Sequence, residues 1–278
     1  MTDERDLLER IVAALERLAP AGAPAPDWHA APAYVWDRTQ ARAVSRLEAP
    51  SLDQLRGIEA QKELVVANVA KLAAGHAAHD MLLWGARGMG KSALLRASIL
   101  AAQASSANGI ALVQVTPEAL PTLSSLFGVL AAEDRRFLVF IDDLGFDEND
   151  DAGPRALRSW LQGGVEARPA NIRLAVTSNR RAIVARHASE QDDPLNPRDA
   201  VDDRLALADR FGLSIGFHNC SQDDYLAIIT GYAEALGLAW EAADALEWAR
   251  RRGARSGRVA AHYITELAGR AGKAAPAG

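Results

Sequence analysis

The sequence predicts an α/β protein, a parallel sheet with helices over both faces, followed by a smaller all-helical C-terminal unit. Three observations carry this expectation. Apolar runs near residues 81–84, 110–115, 137–142, 172–177 and 213–217 alternate with helical stretches, the pattern of a five-stranded parallel sheet with covered faces. The first run, Met81 to Trp84, opens into Gly85-Ala86-Arg87-Gly88-Met89-Gly90-Lys91-Ser92, which matches the phosphate-loop pattern G-x-x-x-x-G-K-S. The third, Phe137-Leu138-Val139-Phe140-Ile141, is apolar throughout, as a strand buried on both faces must be, and it ends in Asp142-Asp143.

Taken in order along the chain, residues 3–18 place Leu7, Leu8, Ile11, Val12, Leu15 and Leu18 on one helical stripe with charges between them. Residues 19–34 carry Pro20, Pro24, Pro26 and Pro32 among alanines and read as a semi-rigid linker, with Trp28, Tyr34 and Trp36 available to dock it on a core. Residues 1–50 are therefore expected to be an amphipathic helix plus an Ala/Pro-rich linker, and the core to run from 51 to 220. Within the core, Gly85 to Ala93 supply main-chain N–H groups that can turn inward on phosphate oxygens, helped by the partial positive charge of the helix that begins there. Lys91 is expected to reach the terminal phosphates of a nucleoside triphosphate, and the Ser92 hydroxyl to ligate Mg²⁺. The overlapping string Gly88-Met89-Gly90-Lys91-Ser92-Ala93 also satisfies a dinucleotide fingerprint, but the next strand, Val113 to Thr116, ends without the acidic residue such a site needs.

A strand ends in carboxylates when something at its C-terminal edge uses them, and ligands of open α/β sheets bind at that edge. Asp142 is accordingly expected to hold Mg²⁺ and Asp143 to orient the attacking water. Asp143 stands where many ATPases place a glutamate, and is shorter by one carbon–carbon bond, about 1.5 Å. The next strand, Ile172 to Thr177, leads to Ser178-Asn179, so that Asn179 lies beside Asp142 and can sense the γ-phosphate. Between Arg186 and Asp203 a polar, proline-containing stretch reads as a surface loop. Ser221-Gln222-Asp223-Asp224 starts a helix in the manner of a capping box, with Asp for Glu, and opens a helical tail over 221–272, leaving 273–278 as a flexible end.

On these motifs and their order the chain resembles an AAA+ ATPase, and the resemblance implies further assignments. Such ATPases have a three-layer αβα core, a small helical lid and nucleotide sites completed between subunits. Ala208-Asp209-Arg210-Phe211-Gly212 resembles the segment carrying the arginine finger, which implies that Arg210 enters a neighbouring subunit's site. Ser256-Gly257-Arg258 resembles the start of the lid helix bearing sensor 2, which implies that Arg258 contacts the γ-phosphate in cis. Leu55-Arg56-Gly57-Ile58 resembles the adenine-pocket segment, which implies contacts from Gly57 and Ile58. More narrowly, Leu83-Trp84-Gly85-Ala86-Arg87-Gly88, Asp142-Asp143-Leu144 and Ala175-Val176-Thr177-Ser178-Asn179-Arg180-Arg181, together with the two arginine segments, are similar to the bacterial ATPase family filed as "domain of unknown function 815" over about residues 50–270. Ile141-Asp142-Asp143-Leu144-Gly145 also resembles helicase loaders.

Composition bounds the rest. A net charge of −5 argues against a charge-dominated nucleic-acid binder, although Arg250, Arg251, Arg252, Arg255 and Arg258 form a local basic cluster through which DNA could be engaged. That cluster has no interleaved Phe or Tyr for base stacking. The single cysteine, Cys220, forms no internal disulfide and fits a reducing cytoplasm, and the acidic start Met1-Thr2-Asp3-Glu4 lacks a signal-peptide core. No apolar run approaches a membrane span. The expected function is an ATP- and Mg²⁺-dependent, homo-oligomeric, cytoplasmic ATPase that remodels or loads a macromolecular client. The alternative is a nucleotide-switched binding module with slow hydrolysis, and a small-molecule kinase is disfavoured because no acceptor site stands out.

Overall fold

The computed structural model describes residues 26–106, 109–144, 157, 160–161, 169–179 and 209–274. The amphipathic stripe at 3–18 and the polar stretch at 186–203 lie outside them. Seven strands form one sheet: β1 Ala33–Asp37, β2 Gln40–Val44, β3 Met81–Gly85, β4 Ile110–Val115, β5 Arg136–Ile141, β6 Ile172–Ser178 and β7 Leu213–Phe217, in the order β2-β1-β4-β5-β6-β3-β7. Among the described residues only the β1–β2 pair is antiparallel. Six α-helices lie among the described residues: α1 Glu59–Ala73, α2 Lys91–Ser105, α3 Leu123–Ala131, α4 Gln222–Leu236, α5 Ala242–Arg251 and α6 Gly257–Arg270.

Side-chain alternation along the strands divides the core into two layers, because successive residues of a strand face opposite sides. Met81 and Leu83 of β3, Leu112 of β4, and Leu138 and Phe140 of β5 point to the face covered by α1 and α2. Leu82, Val113, Val139, Leu174 and Val176 point to the face covered by α3 and by the aromatic residues of the N-terminal segment. The expected αβα layering is thus present, and all five anticipated strands form.

The sheet nevertheless has seven strands, not five. The extra pair is the β1–β2 hairpin, within the residues assigned to a linker, so the core sheet recruits chain upstream of residue 51. The hairpin is held from below as well as along its edge. Trp28, Tyr34 and Trp36 are all buried, and Trp28 meets Phe137 edge-on with ring centroids 5.7 Å apart. Arg135, itself 2% exposed, donates to the carbonyls of Trp28 and Ala31, the latter at 2.8 Å, while the Tyr34 hydroxyl donates to Asp27 O at 2.7 Å. Four prolines nearby concealed a strand this short from composition-based reading.

The C-terminal helices form a compact bundle continuous with the α1/α2 face, through Tyr225, Ile228, Ile229 and Tyr263. Helix α4 begins as expected: Ser221 Oγ accepts from Asp224 N–H at 3.0 Å, and Asp224 accepts from Ser221 N–H at 3.2 Å. At the far end Lys273, placed in the flexible tail by the sequence, donates to Gly237 O at 2.9 Å and ties the end of α6 to the end of α4. None of the described helices is long and apolar enough to cross a membrane.

Candidate nucleotide site

The strand order determines what meets at the sheet edge. Strand β6 lies between β3 and β5, so the loop after β3, the carboxylates after β5 and the amide after β6 emerge side by side at the C-terminal edge. They line a cleft of about 400 Å³ together with Pro50, Gln54, Leu55, Arg56 and Ile58 and, from the C-terminal helices, Ile228, Tyr232, Gly257 and Arg258.

The loop between β3 and α2 turns on Gly88 and Gly90, both at positive φ. Gly88 adopts φ +76°, and a Cβ there would meet Ser256 Oγ at 3.0 Å and Arg258 Cβ at 3.2 Å, so glycine lets the start of α6 pack closely on the loop. Arg258 N–H donates to Gly88 O at 3.1 Å, which places the start of α6 directly on the loop. Lys91 is buried at the first turn of α2 and donates to Gly85 O at 3.0 Å, Ala86 O at 2.9 Å and Asn179 Oδ1 at 3.0 Å, all three of its donors being satisfied. Burial lowers the Lys91 pKa from that of a free lysine; Asp143 and Asp142 pull it back up, and Arg258 and Arg87 oppose them.

Around the carboxylates the hydrogen bonds are shared. Asp142 Oδ1 accepts from Ser92 Oγ at 2.6 Å and from Thr177 Oγ1 at 2.7 Å. Thr177 Oγ1 in turn accepts from Asp143 N–H at 2.8 Å. Asp143 has φ +51°, a left-handed conformation that aspartate tolerates better than most residues. Its carboxylate accepts from Asn179 Nδ2 and lies 3.5 Å from the Arg87 guanidinium.

The structure thus brings Gly88, Met89, Gly90, Lys91, Ser92, Ala93, Asp142, Asp143, Asn179, Ile58 and Arg258 to one cleft. Gly85 and Ala86 lie beneath it as acceptors for Lys91, and Arg87 pairs outward with Asp143. Gly57 is not among the residues lining the cleft; at φ +75° a Cβ there would meet Asp224 Cβ at 3.0 Å. Arg210 lies in the turn that enters β7, at the opposite edge of the sheet, and is exposed. Sequence reasoning gave no role to Thr177 or Arg96, and held Arg56 only as part of the adenine-pocket segment. Arg96 follows Ser92 by one helical turn, a spacing that could have found it; Thr177 is visible only as a hydroxyl near the end of an otherwise apolar strand.

The basic cluster of the lid is largely engaged within its own helix. Glu247 accepts from Arg250 at 2.7 Å and from Arg251 at 2.9 Å, and these two hydrogen bonds hold its carboxyl down to about 2. The Arg252 guanidinium stacks over Trp248, 4.7 Å from the ring centroid. Arg255 borders a shallow depression with Cys220 and Asn219, and burial pushes the Cys220 thiol up to about 11. Among the described residues no cluster of His, Cys, Asp and Glu is suited to hold a metal by itself.

Solved structures share this architecture. The Thermotoga maritima RuvB Holliday junction branch migration motor superposes with a TM-score of 0.50 at 21% identity, covering 82% of this chain and 68% of that one. The Aeropyrum pernix ORC1 protein, solved in complex with DNA, superposes with a TM-score of 0.54 at 15% identity, covering 78% of this chain and 61% of that one. At such identities the likeness concerns the fold, which is that of AAA+ ATPases. No curated protein sequence matches the chain. The family model described as "Protein of unknown function (DUF815)" matches residues 29–271, and the chain belongs to that family.

Proposed function

We propose that this protein binds ATP with Mg²⁺ and hydrolyses it as a homo-oligomer, coupling nucleotide state to the remodelling or loading of a macromolecular client. The observation carrying this reading is the convergence of Lys91, Ser92, Asp142, Asp143, Asn179 and Arg258 on one cleft from four separate chain segments. The donor set suits the metal. Ser92 and Asp142 offer one hydroxyl and one carboxylate within 2.6 Å of each other, the few hard oxygen ligands that Mg²⁺ takes from protein when phosphates and waters supply the rest. Bound there, Mg²⁺ would neutralise charge on the phosphate oxygens.

The chain's own residues divide the remaining work. Main-chain N–H groups from Gly88 to Ala93, with the N-terminus of α2, bind phosphate. Lys91 adds a cation that its surroundings keep desolvated. Asp143 orients water, and Asn179, hydrogen-bonded to both Lys91 and Asp143, relays the presence of a terminal phosphate between them. Leu55, Ile58 and Tyr232 form an apolar wall for the base, with Gly57 shaping the turn behind it. Arg258 acts in cis from the lid, residues 221–272 in this reading, and Arg210 acts in trans from the next subunit.

DNA is the client class favoured by the two structural neighbours, one named as a branch migration motor and the other solved with DNA. On this chain the contact would fall to the face bearing Arg250, Arg251, Arg252 and Arg255. The second reading, a nucleotide switch with slow turnover, is favoured by the engagement of Asp143 with Asn179 and Arg87, which competes with its orienting a water.

Equilibrium ATP binding and steady-state phosphate release, each with and without Mg²⁺, test the core of the proposal on wild type and Lys91→Ala. Wild type should bind ATP more tightly with Mg²⁺ and release phosphate only in its presence, and the variant should lose tight binding. Unchanged affinity in Lys91→Ala would remove the phosphate-loop assignment. Tight binding with negligible release at every protein concentration would favour the switch.

A further inference from the structure

One buried hydroxyl ties the two acidic positions together. Thr177 is 1% exposed, the penultimate residue of β6, and its Oγ1 makes two hydrogen bonds of opposite sense. It donates to Asp142 Oδ1 at 2.7 Å and accepts from Asp143 N–H at 2.8 Å. The adjacent main chain repeats the link: Leu144 N–H donates to Thr177 O at 2.8 Å, and Ser178 Oγ donates to Leu144 O at 3.2 Å. The end of β6 therefore moulds the turn after β5, where Asp143 is held at φ +51°.

We propose that Thr177 is a positioning residue for Mg²⁺ and for catalysis, aiming the Asp142 carboxylate at the metal while holding Asp143 in its left-handed turn. The inference rests on the nucleotide site proposed above and adds to it a residue that would act through Asp142 and Asp143. The chemistry is that of an outer-shell partner. A carboxylate with one oxygen held by a fixed donor keeps its plane and presents its remaining lone pairs in one direction. Ser92 Oγ shares the same oxygen at 2.6 Å, so Oδ1 is the oxygen common to the hydroxyl and the carboxylate that would flank Mg²⁺. Both tasks need a hydroxyl at this position, one group that donates and accepts at once. A serine at 177 keeps the hydroxyl without its methyl, whereas valine keeps the shape and has neither donor nor acceptor.

The experiment compares wild type, Thr177→Ser and Thr177→Val by ATP affinity with and without Mg²⁺, by kcat, and by thermal unfolding. Mutation of such outer-shell partners typically costs about 10- to 100-fold in metal affinity or activity. Thr177→Val should therefore lose most of the Mg²⁺-dependent gain in ATP affinity and fall in kcat by about 10-fold or more, with its metal-free ATP affinity close to wild type. Thr177→Ser should stay within about threefold of wild type on each measure. A structural role alone would lower metal-free and Mg²⁺-dependent binding together, and that pattern overturns the proposal. So does a Thr177→Val protein with wild-type Mg²⁺ dependence and kcat. Should Thr177→Val not fold, Thr177→Ala, which removes the same hydroxyl without introducing new bulk, is read against Thr177→Ser by the same criteria. A wild-type protein whose ATP affinity ignores Mg²⁺ would instead sink the nucleotide-site reading itself.

Discussion

At the scale of the residue, the functional chemistry that could be read from sequence is the chemistry that is contiguous. Glycines, Lys91 and Ser92 follow one another in a single loop, and their spacing alone specifies a phosphate cradle. Thr177 reaches the cleft from a chain segment far from that loop in sequence, and nothing local marks it as functional. Lys91 itself makes a prediction that sequence could not. Its pKa lies below the 10.5 of a free lysine because the group is buried. Between the depressed value and 10.5 the unfolded chain binds the proton and the folded chain does not, so this group's contribution makes stability rise with pH across that window. ATP affinity should move the other way, since the nucleotide needs the ammonium. A titration of ATP affinity toward alkaline pH should show weakening with a midpoint below 10.5. Affinity that holds level up to that pH would mean that the Lys91 charge is either not depressed or not used.

At the scale of the element, strands buried on both faces were legible because unbroken apolar runs have no other comfortable place in a globular chain. The β1–β2 hairpin was not, because its residues alternate Ala, Tyr, Val and Trp between prolines, and β2 is mostly exposed. What secures it is distant in sequence: Arg135 beneath β1, and the Trp36 indole donating to Thr122 Oγ1 at 2.9 Å. A comparable long-range constraint governs the strand that feeds the phosphate loop. Gly85 has φ +119°, and a Cβ there would lie 2.1 Å from Phe217 O, at the end of the neighbouring strand β7. The close approach lets Ala86 N–H donate to that same oxygen at 2.7 Å and anchors the loop on the sheet. Gly85→Ala should therefore cost about 3 kcal/mol or more, as backbone strain is added to a clash with main chain that has no rotamer to yield. Gly128, inside α3 with open space around it, provides the contrast: Gly128→Ala should stabilise by about 0.5–1 kcal/mol. Denaturant unfolding of the two variants checks both signs, and equal effects would mean that the Gly85–Phe217 contact relaxes freely.

At the scale of the whole molecule, the role proposed for Arg210 is what separates the motor reading from the switch reading. The turn carrying it lies at the edge of the sheet away from the cleft, so this arginine and its own chain's Lys91 belong to different surfaces. An exposed cation there is useful to hydrolysis only across a subunit boundary, where it would offset charge on a transferring phosphoryl group. Arginines in that role contribute about a thousandfold or more to rate. Three consequences separate a trans finger from a surface arginine. The ATPase rate per subunit of wild type should climb with protein concentration, because dilution separates each site from its neighbour. Arg210→Ala should hold ATP at wild-type affinity yet show a low rate that no concentration restores. Mixing is the sharpest of the three. Lys91→Ala subunits cannot bind nucleotide but carry an intact Arg210, and Arg210→Ala subunits bind nucleotide but lack the finger. Each variant alone should show little or no activity, but an assembly of both would contain interfaces where an intact cleft faces an intact arginine. Activity should therefore return on mixing and grow as Lys91→Ala subunits are added to a fixed amount of Arg210→Ala. An arginine acting within its own chain, or serving only stability, gives no recovery at any ratio, and that result would return Arg210 to the surface charges and the protein to the switch reading.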